Sequence, residues 1–324
     1  MRNRPRDRCA ILFFVAAMTA AASTPAQHYP TRPIHLIATT PPGGLVDVLG
    51  RMLAQALGER LGQSVVVENK TGATTQIGIE AVVRAPADGY TLLLGTSEMT
   101  MLPALAKRYP YDPLRDLTPV ALVANSWTVF AVNPKLPVNT LPELIDYAKA
   151  HPATVHYGTN GVGGSLHIAV EMLRVETGID LVHVPYKGGG QAITDVVSGQ
   201  IEMASLGLGT VVSRRGQVRV LAQTGPMRHP LLPDVPATAE LGLPEVRMET
   251  WFGVMAPGHT PEPVIARLAR DIQPILEQEA FKKKLLGIGC ETAWMPPAAF
   301  ARYIAEEKKK WARIIPAIGI VPED

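Results

Sequence analysis

From residue 34 onward the chain alternates short apolar runs with stretches whose apolar positions recur at helical spacing. Ile34-His35-Leu36-Ile37-Ala38 predicts a strand, and Leu45, Val46, Leu49, Met52, Leu53 and Leu57 then mark one face of a helix. Val65-Val66-Val67, a helical stretch near Gly78 to Arg84, and Thr91-Leu92-Leu93-Leu94 repeat the unit. Further strands are predicted at Trp127 to Val132, Val155 to Tyr157, Leu181 to Val184 and Val218 to Leu221. Thr140-Leu141-Pro142-Glu143 predicts a helix start, with a capping hydroxyl and a glutamate three residues on. Thr260-Pro261-Glu262 opens another, with proline in the first turn where its missing N–H costs nothing, and a last helix runs from about Pro297 to Ile315. Continuous apolar strands divided by helices predict parallel sheets covered on both faces. No internal repeat or low-complexity segment interrupts the alternation.

The segment before this pattern has a different character. Residues 2 to 8 are mostly basic, Ala10 to Ala22 is almost wholly apolar, and Thr24-Pro25-Ala26 offers small residues for cleavage before Gln27. That layout predicts a secretory signal peptide over residues 1–26, and its apolar stretch is shorter than the roughly 20 residues needed to span a bilayer. The expected compartment is the periplasm. Cleavage would leave 298 of the 324 residues and Cys290 as the one cysteine, so no intrachain disulfide is expected. With 47% hydrophobic residues the fold can rest on core burial. A formal charge of +2 and the absence of a basic stripe interleaved with aromatics argue against nucleic acid as a partner. Lys308-Lys309-Lys310 follows Glu306-Glu307 and reads as a solvated helix face.

The candidate chemistry lies in small-residue loops that follow apolar runs. They are Pro41-Pro42-Gly43-Gly44 with Asp47, Gly95-Thr96-Ser97 with Glu98, Gly158 to Ser165 with His167, and Pro185-Tyr186-Lys187-Gly188-Gly189-Gly190. Loops of this kind present free backbone N–H groups at a helix start, which suits an anion held without metal or cofactor. In open α/β sheets a ligand sits beyond the carboxyl ends of the strands, where every one of these loops is placed. A bulky residue at Gly43 or Gly163 is therefore expected to block binding while leaving the fold undisturbed.

Enzyme signatures fail one by one. Gly161-Val162-Gly163 begins a dinucleotide fingerprint, but Leu166 stands where its third glycine belongs. No Walker-type loop exists, and Ser205 lacks the glycine that a nucleophile elbow needs two residues before it. The histidines show no metal-ligand spacing, and Cys290 is isolated among apolar and glycine residues. His183 alternates within a strand as a structural residue. His167 has two open readings, one beside the ligand and one bracing the loop. Asp47 likewise stabilises a first helical turn or orients a water or ligand donor.

An ordered set of segments resembles the solute-binding proteins of tripartite tricarboxylate transporters, the Bug family. It comprises Tyr29 to Ile34, Pro42 to Asp47, Val66 to Lys70, Ala87 to Leu93, Tyr111-Asp112-Pro113, Gly161 to His167, Val182 to Gly188 and Leu232 to Pro236. The resemblance implies a type II periplasmic binding protein of the Venus-flytrap kind, with two α/β domains and a ligand cleft between them. The expected division is 27–125 with 247–324, and 126–246. It also implies a non-enzymatic monomer that delivers a small carboxylate to membrane permease subunits. Two other functions stay open: a sensor presenting the carboxylate to a membrane signalling partner, and an α/β hydrolase.

The carboxylate is expected at backbone groups and waters of the loops matching Pro42, Gly43 and Gly44 and Gly161 to Ser165. The expected site adds Asp47, Thr74, Thr75, Thr96, Ser97, Glu98, Thr159, Asn160, Gly163, Gly164, His167, Tyr186, Lys187 and Ser205. Departures from the family bear on the ligand. Thr39-Thr40-Pro41 replaces a usual phenylalanine, Gly72-Ala73-Thr74-Thr75-Gln76 adds hydroxyls, and Ser205 stands where aspartate is common. Glu98 stands where small or amide residues are common, and it faces either the cleft or solvent.

Overall fold

The computed structural model describes residues 29–72, 75–105, 109–186 and 188–320. The signal segment 1–26, Thr74 and Lys187 lie outside the described residues. The chain opens with β1 (Ile34–Ala38), α1 (Leu45–Leu61), β2 (Val65–Asn69), α2 (Gln76–Val83), β3 (Thr91–Thr96) and α3 (Glu98–Leu105). A long strand, β4 (Leu117–Val132), leads to α4 (Leu141–Ala150), β5 (His156–Thr159), α5 (Ser165–Thr177), β6 (Val182–Pro185) and α6 (Gly189–Ser198). β7 (Met203–Gly207), α7 (Leu208–Val212) and β8 (Arg219–Gln223) complete that half. The chain ends with β9 (Glu249–Pro257), α8 (Glu262–Glu277), α9 (Glu279–Gly287), β10 (Cys290–Met295) and α10 (Pro297–Ala317).

The strands form one curled sheet in the order β2-β1-β3-β9-β4-β7-β5-β6, with β10 and β8 also paired to β4. β4 carries both halves. Its residues Leu117 to Trp127 pair with β9, and Thr128 to Val132 pair with β7 and β8. Each half is an α/β lobe, and β4 changes partners between Trp127 and Thr128.

The all-parallel expectation needs correction. β1 is parallel to β2 and β3, and β5 to β6 and β7, but every pairing of β4 and β9 is antiparallel. Strands buried on both faces read as continuous apolar runs in either direction, so the apolar pattern does not report strand direction.

Each lobe buries its sheet on both faces. In the first, Leu49, Leu53 and Leu57 of α1 and Leu268, Ile272 and Ile275 of α8 cover one face, while Ile79, Val82, Phe300 and Ile304 cover the other. In the second, Leu144, Ile168, Leu173 and Trp311 pack on one face and Ala192, Ile193 and Val196 on the other. Full burial of each leucine or isoleucine contributes about 1.5–3 kcal/mol. The spacing that predicted α1 is thus the spacing of its buried face. Thr140 caps α4 as expected, its hydroxyl accepting from the Glu143 N–H at 3.3 Å.

Helices also join the lobes. Phe300 and Ile304 of α10 belong to the first lobe's core, and Trp311 and Ile315 to the second's. α3 does the same over a shorter span, with Met99 in the first core and Met101 in the second. The chain around the change of partners is close-packed: a Cβ on Gly225 would meet the Trp127 ring at 2.4 Å, and Ser126 Oγ donates to the Gly289 carbonyl at 2.7 Å. Among the described residues no helix is long and apolar enough to cross a membrane.

Candidate functional site

The loops singled out in the sequence sit at the carboxyl ends of β1, β3, β5 and β6, each leading into a helix. Two of them are near copies. In the first lobe Gly43 has φ +82° and Gly44, the N-cap of α1, is extended at φ −70°, ψ 161°. In the second lobe Gly163 has φ +73° and Gly164, the N-cap of α5, is extended at φ −73°, ψ 163°. Both N-caps are glycines, so no N-cap side chain accepts from the first turn; in α5 the His167 N–H turns to the Gly164 carbonyl at 3.0 Å, and the Ser165 and Leu166 N–H groups precede it. The left-handed glycine of each pair turns the chain where a side chain would be strained.

Each left-handed glycine is tied to the side chain four residues on. The Gly43 N–H donates to Asp47 Oδ2 at 2.9 Å, and the Gly163 N–H donates to His167 Nδ1 at 3.2 Å. Asp47 also accepts from Asn69 Nδ2 at 2.9 Å and pairs with Arg51 at 2.8 Å. Burial works to raise its pKa, but the bonds from Arg51, Gly43 and Asn69 outweigh burial and hold it at about 2. Of the two open readings, the geometry makes Asp47 a brace of the first turn.

His167 is also a brace. Nδ1 accepts a hydrogen bond, so the ring is neutral with its proton on Nε2, which lies 3.7 Å from Glu171 Oε1. Burial lowers its pKa against the opposing pull of Glu171, which fits that tautomer. The ring stacks on His183 at 4.2 Å, and His183 stacks on Tyr157 at 4.9 Å. His183 Nε2 is 2.7 Å from Thr159 Oγ1, which accepts from the Gly161 N–H at 3.2 Å. Burial and neighbouring His167 push the His183 pKa down to about 4. Glu171 closes the network, accepting from Tyr157 at 2.5 Å and from Arg174 at 2.7 Å. These residues fix the shape of the Thr159 to Gly163 turn.

Both remaining glycine contacts are tight. A Cβ at Gly44 would lie 2.8 Å from Thr40 Oγ1, and one at Gly164 would lie 2.9 Å from Asn160 Oδ1. The backbone at these N-caps is ordinary, whereas Gly43 and Gly163 are left-handed and a Cβ at Gly163 would also meet Leu105 at 2.9 Å. The expectation that a bulky residue at Gly43 or Gly163 spares the fold is therefore wrong. Gly44 and Gly164 are the positions that separate crowding from strain.

Glu98, at the start of α3, is buried and does not face solvent. Its Oε2 accepts from Thr96 Oγ1 at 2.5 Å and its Oε1 from Ser165 Oγ at 2.9 Å, the second bond crossing between lobes. Ser97 and Ser205 are fully buried, and their hydroxyls have no partner among the described residues. Thr75, the N-cap of α2, holds a left-handed φ of +78° that is unusual for a β-branched residue, and its hydroxyl has no partner among the described residues. Tyr186 turns its hydroxyl to Asp195 at 2.8 Å, and burial followed by that carboxylate raises its pKa to about 12. Pro42 and Asn160 are exposed at the loop tips.

Sequence reasoning did not single out Thr128 as a site residue. Its buried hydroxyl, opposite Gly207, has no partner among the described residues, and neither do the hydroxyls of Thr39 and Thr40, which follow β1. Its signal was a lone hydroxyl in the apolar run Trp127 to Val132. Buried hydroxyls are normally hydrogen-bonded, so Thr39, Thr40, Thr75 and Ser97 in one lobe and Thr128 and Ser205 in the other form a set of unmet polar demands. Among the described residues no cluster of histidine, cysteine or carboxylate side chains has the makings of a metal site. Two surface hollows, one at Ala54, Gly58 and Val65 and one at Leu231, Leu232 and Val235, lie away from these loops.

The comparisons with known proteins agree with one another. The sequence profile of the tripartite tricarboxylate transporter family receptor matches residues 49–320. Protein BugT of Bordetella pertussis is 36% identical over 321 residues, spanning 98% of each chain. A structure of R. palustris Rpa4515 with adipate is 32% identical, covers 91% of this chain and 100% of its own, and gives a TM-score of 0.85. MatC from Rhodopseudomonas palustris with bound malate is 27% identical, covers 89% and 100%, and gives 0.80. With this sequence similarity running nearly end to end and the two-lobed fold shared, the chain belongs to the tripartite tricarboxylate transporter receptor family, among the Bug proteins.

Proposed function

We propose that this chain is a periplasmic, non-enzymatic receptor that closes on a small organic carboxylate and delivers it to tripartite tricarboxylate-type permease subunits. The observation that carries this is the pair of Gly-Gly helix starts, one in each lobe, with uncapped N–H groups at both. Each helix N-terminus favours an anion by about 0.3–1 kcal/mol, and more where partly buried. The unpartnered hydroxyls of Thr39, Thr40, Thr75 and Ser97, at strand-to-helix junctions of the first lobe, and of Thr128 and Ser205, within β4 and β7, supply further donors. Adipate and malate in the two relatives are small carboxylates, the class of ligand proposed for this chain.

The lobes of this receptor are 27–125 with 247–324, and 126–246. The change of β4 partners at Trp127 and Thr128 supports that boundary, and α10 ties its last turns across it. The N-terminal basic and apolar segment supports export to the periplasm. The receptor acts as a monomer, and Thr74 and Lys187 belong to the cleft on the family resemblance. A hydrolase would need a base against Ser205, and none hydrogen-bonds its Oγ among the described residues.

A thermal-shift screen of residues 27–324 against an organic-acid library tests the reading. The cognate acid should stabilise the fold by about 2.7 kcal/mol at a hundredfold excess over Kd. No shift with any acid, or ester cleavage that Ser205→Ala abolishes, contradicts it. Loss of uptake of that acid in cells lacking the receptor tests the delivery step.

A further inference from the structure

Glu98 is a buried carboxylate beside the α5 helix start that neither of the twin helix starts employs as a brace. It is 7% exposed, and among the described residues its hydrogen-bond partners are the hydroxyls of Thr96 and Ser165. Neither partner carries charge. A buried carboxylate is unfavourable unless it is paired or fully hydrogen-bonded. Two donors fill about half of the roughly four acceptor sites a carboxylate offers. The remaining lone pairs call for further donors.

The position of Glu98 matters as much as its burial. Ser165 is the first residue of α5, so the side chain of the first lobe reaches the helix start of the second. The contact is with the Ser165 hydroxyl and not with the backbone N–H groups of that helix start, which stay open to a ligand carboxylate. Glu98 therefore supplies from within the protein a negative charge at one end of the cleft. With one ligand carboxylate held at the helix starts, a second one brought against Glu98 meets like-charge repulsion, and a donor there meets open acceptor sites. The buried, unpartnered hydroxyls of Ser97, next to Glu98 in sequence, and Ser205 are able to bond either kind of group, so they do not offset this preference.

We propose that Glu98 is the specificity-determining residue of the cleft. It selects monocarboxylates whose far end bears a hydrogen-bond donor, an ammonium ahead of a hydroxyl, over plain dicarboxylates of the same length. This rests on the carboxylate reading of the cleft. A second role for the same contact, a latch that only holds the lobes together, makes a different prediction: removing it would change the affinity of every ligand by the same factor.

Calorimetric titration of residues 27–324 with length-matched acids separates the two. One set is 4-aminobutyrate, 4-hydroxybutyrate and succinate; the other is 6-aminohexanoate, 6-hydroxyhexanoate and adipate. In the wild type an amino or hydroxy acid should bind at least tenfold tighter than the dicarboxylate of its own length. Glu98→Gln should cut that ratio at least tenfold and strengthen dicarboxylate binding. Glu98→Ser, which removes the carboxylate in a smaller side chain, serves the same purpose if the glutamine variant does not fold. A wild type that takes the dicarboxylate as well as its counterparts overturns the proposal, as does a ratio that survives both substitutions. In either case the carboxylate reading stands. If the wild type binds no member of either set and no acid in the library, both fall together.

Discussion

The helix starts at Gly44 and Gly164 are built alike and braced differently. Both place a left-handed glycine before an extended glycine N-cap, and both tie the first glycine's N–H to the side chain four residues on. In the first lobe that side chain is an anionic Asp47 neutralised by Arg51, and the loop tip from Pro41 to Gly43 is exposed. In the second lobe it is a neutral His167 in a stack with His183 and Tyr157, and Gly163 is buried near Leu105 of α3. The lesson is that the backbone shape is the shared device. Either a charged or a neutral acceptor can hold it, provided the acceptor sits one helical turn on.

The comparison breaks most sharply at the N-cap glycines. Gly44→Val and Gly164→Val keep an ordinary φ and place a side chain against Thr40 and the Pro41 carbonyl in one loop and against the Asn160 side chain in the other. If both loops anchor the ligand, each variant should lose more than about a hundredfold in affinity, or roughly 2.7 kcal/mol. Calorimetry with the cognate acid measures this, with thermal melts as the folding control. Wild-type affinity in one variant would leave a single anchoring loop.

The braces should differ in stability. Asp47→Ala strips an acceptor from Gly43, Asn69 and Arg51 at once, and should cost about 1–3 kcal/mol. His167→Gln keeps an acceptor near Gly163 and should cost less. Urea denaturation of the unliganded proteins ranks them, and the reverse order would make the stack the stronger brace.

Acid should separate the braces by pH. The folded pKa of His183 is depressed to about 4 from an ordinary value of 6.5, so the unfolded chain binds the extra proton first. Stability is then lost as pH falls from about 6.5 through 4. His229, which burial also lowers to about 4, contributes in the same window. Asp47 is depressed to about 2, so its contribution is intact above the ordinary carboxylate range and is lost only as pH falls toward 2. His183→Asn should flatten part of the upper loss in melts against pH, and Asp47→Asn the lower one. No change in the upper window with His183→Asn would remove the histidine stack from the account.

Much of this was legible in the sequence because it depends on local chemistry. The strand ends of β1 and β3, the cap at Thr140 and the glycines of both helix starts follow from spacing and from residues with special backbone freedom. What was not legible depends on contacts distant in sequence. β4 begins at Leu117, ten residues before the predicted strand, because Pro119 and the polar pair Asn125-Ser126 hide its continuity. Pairing with β9 and β10 keeps it extended through two register shifts against β9. The run Trp251 to Ala256 had the composition of β9, but nothing local announced that it would lie antiparallel between β3 and β4. The same holds at the site. Asp47 and His167 had two readings each until the Gly43 and Gly163 N–H groups were seen to point at them. Glu98 had two directions open to it until Ser165, 67 residues away, was found against its carboxylate.

The central claim is that a carboxylate group itself is held between the two helix starts. The most direct measurement is a calorimetric titration of residues 27–324 with the cognate acid and with its primary amide, which keeps the shape and removes the charge. The acid should bind at least a hundredfold tighter than the amide. Equal affinities would contradict the account, because uncapped N–H groups at two helix N-termini would then have no anion to hold.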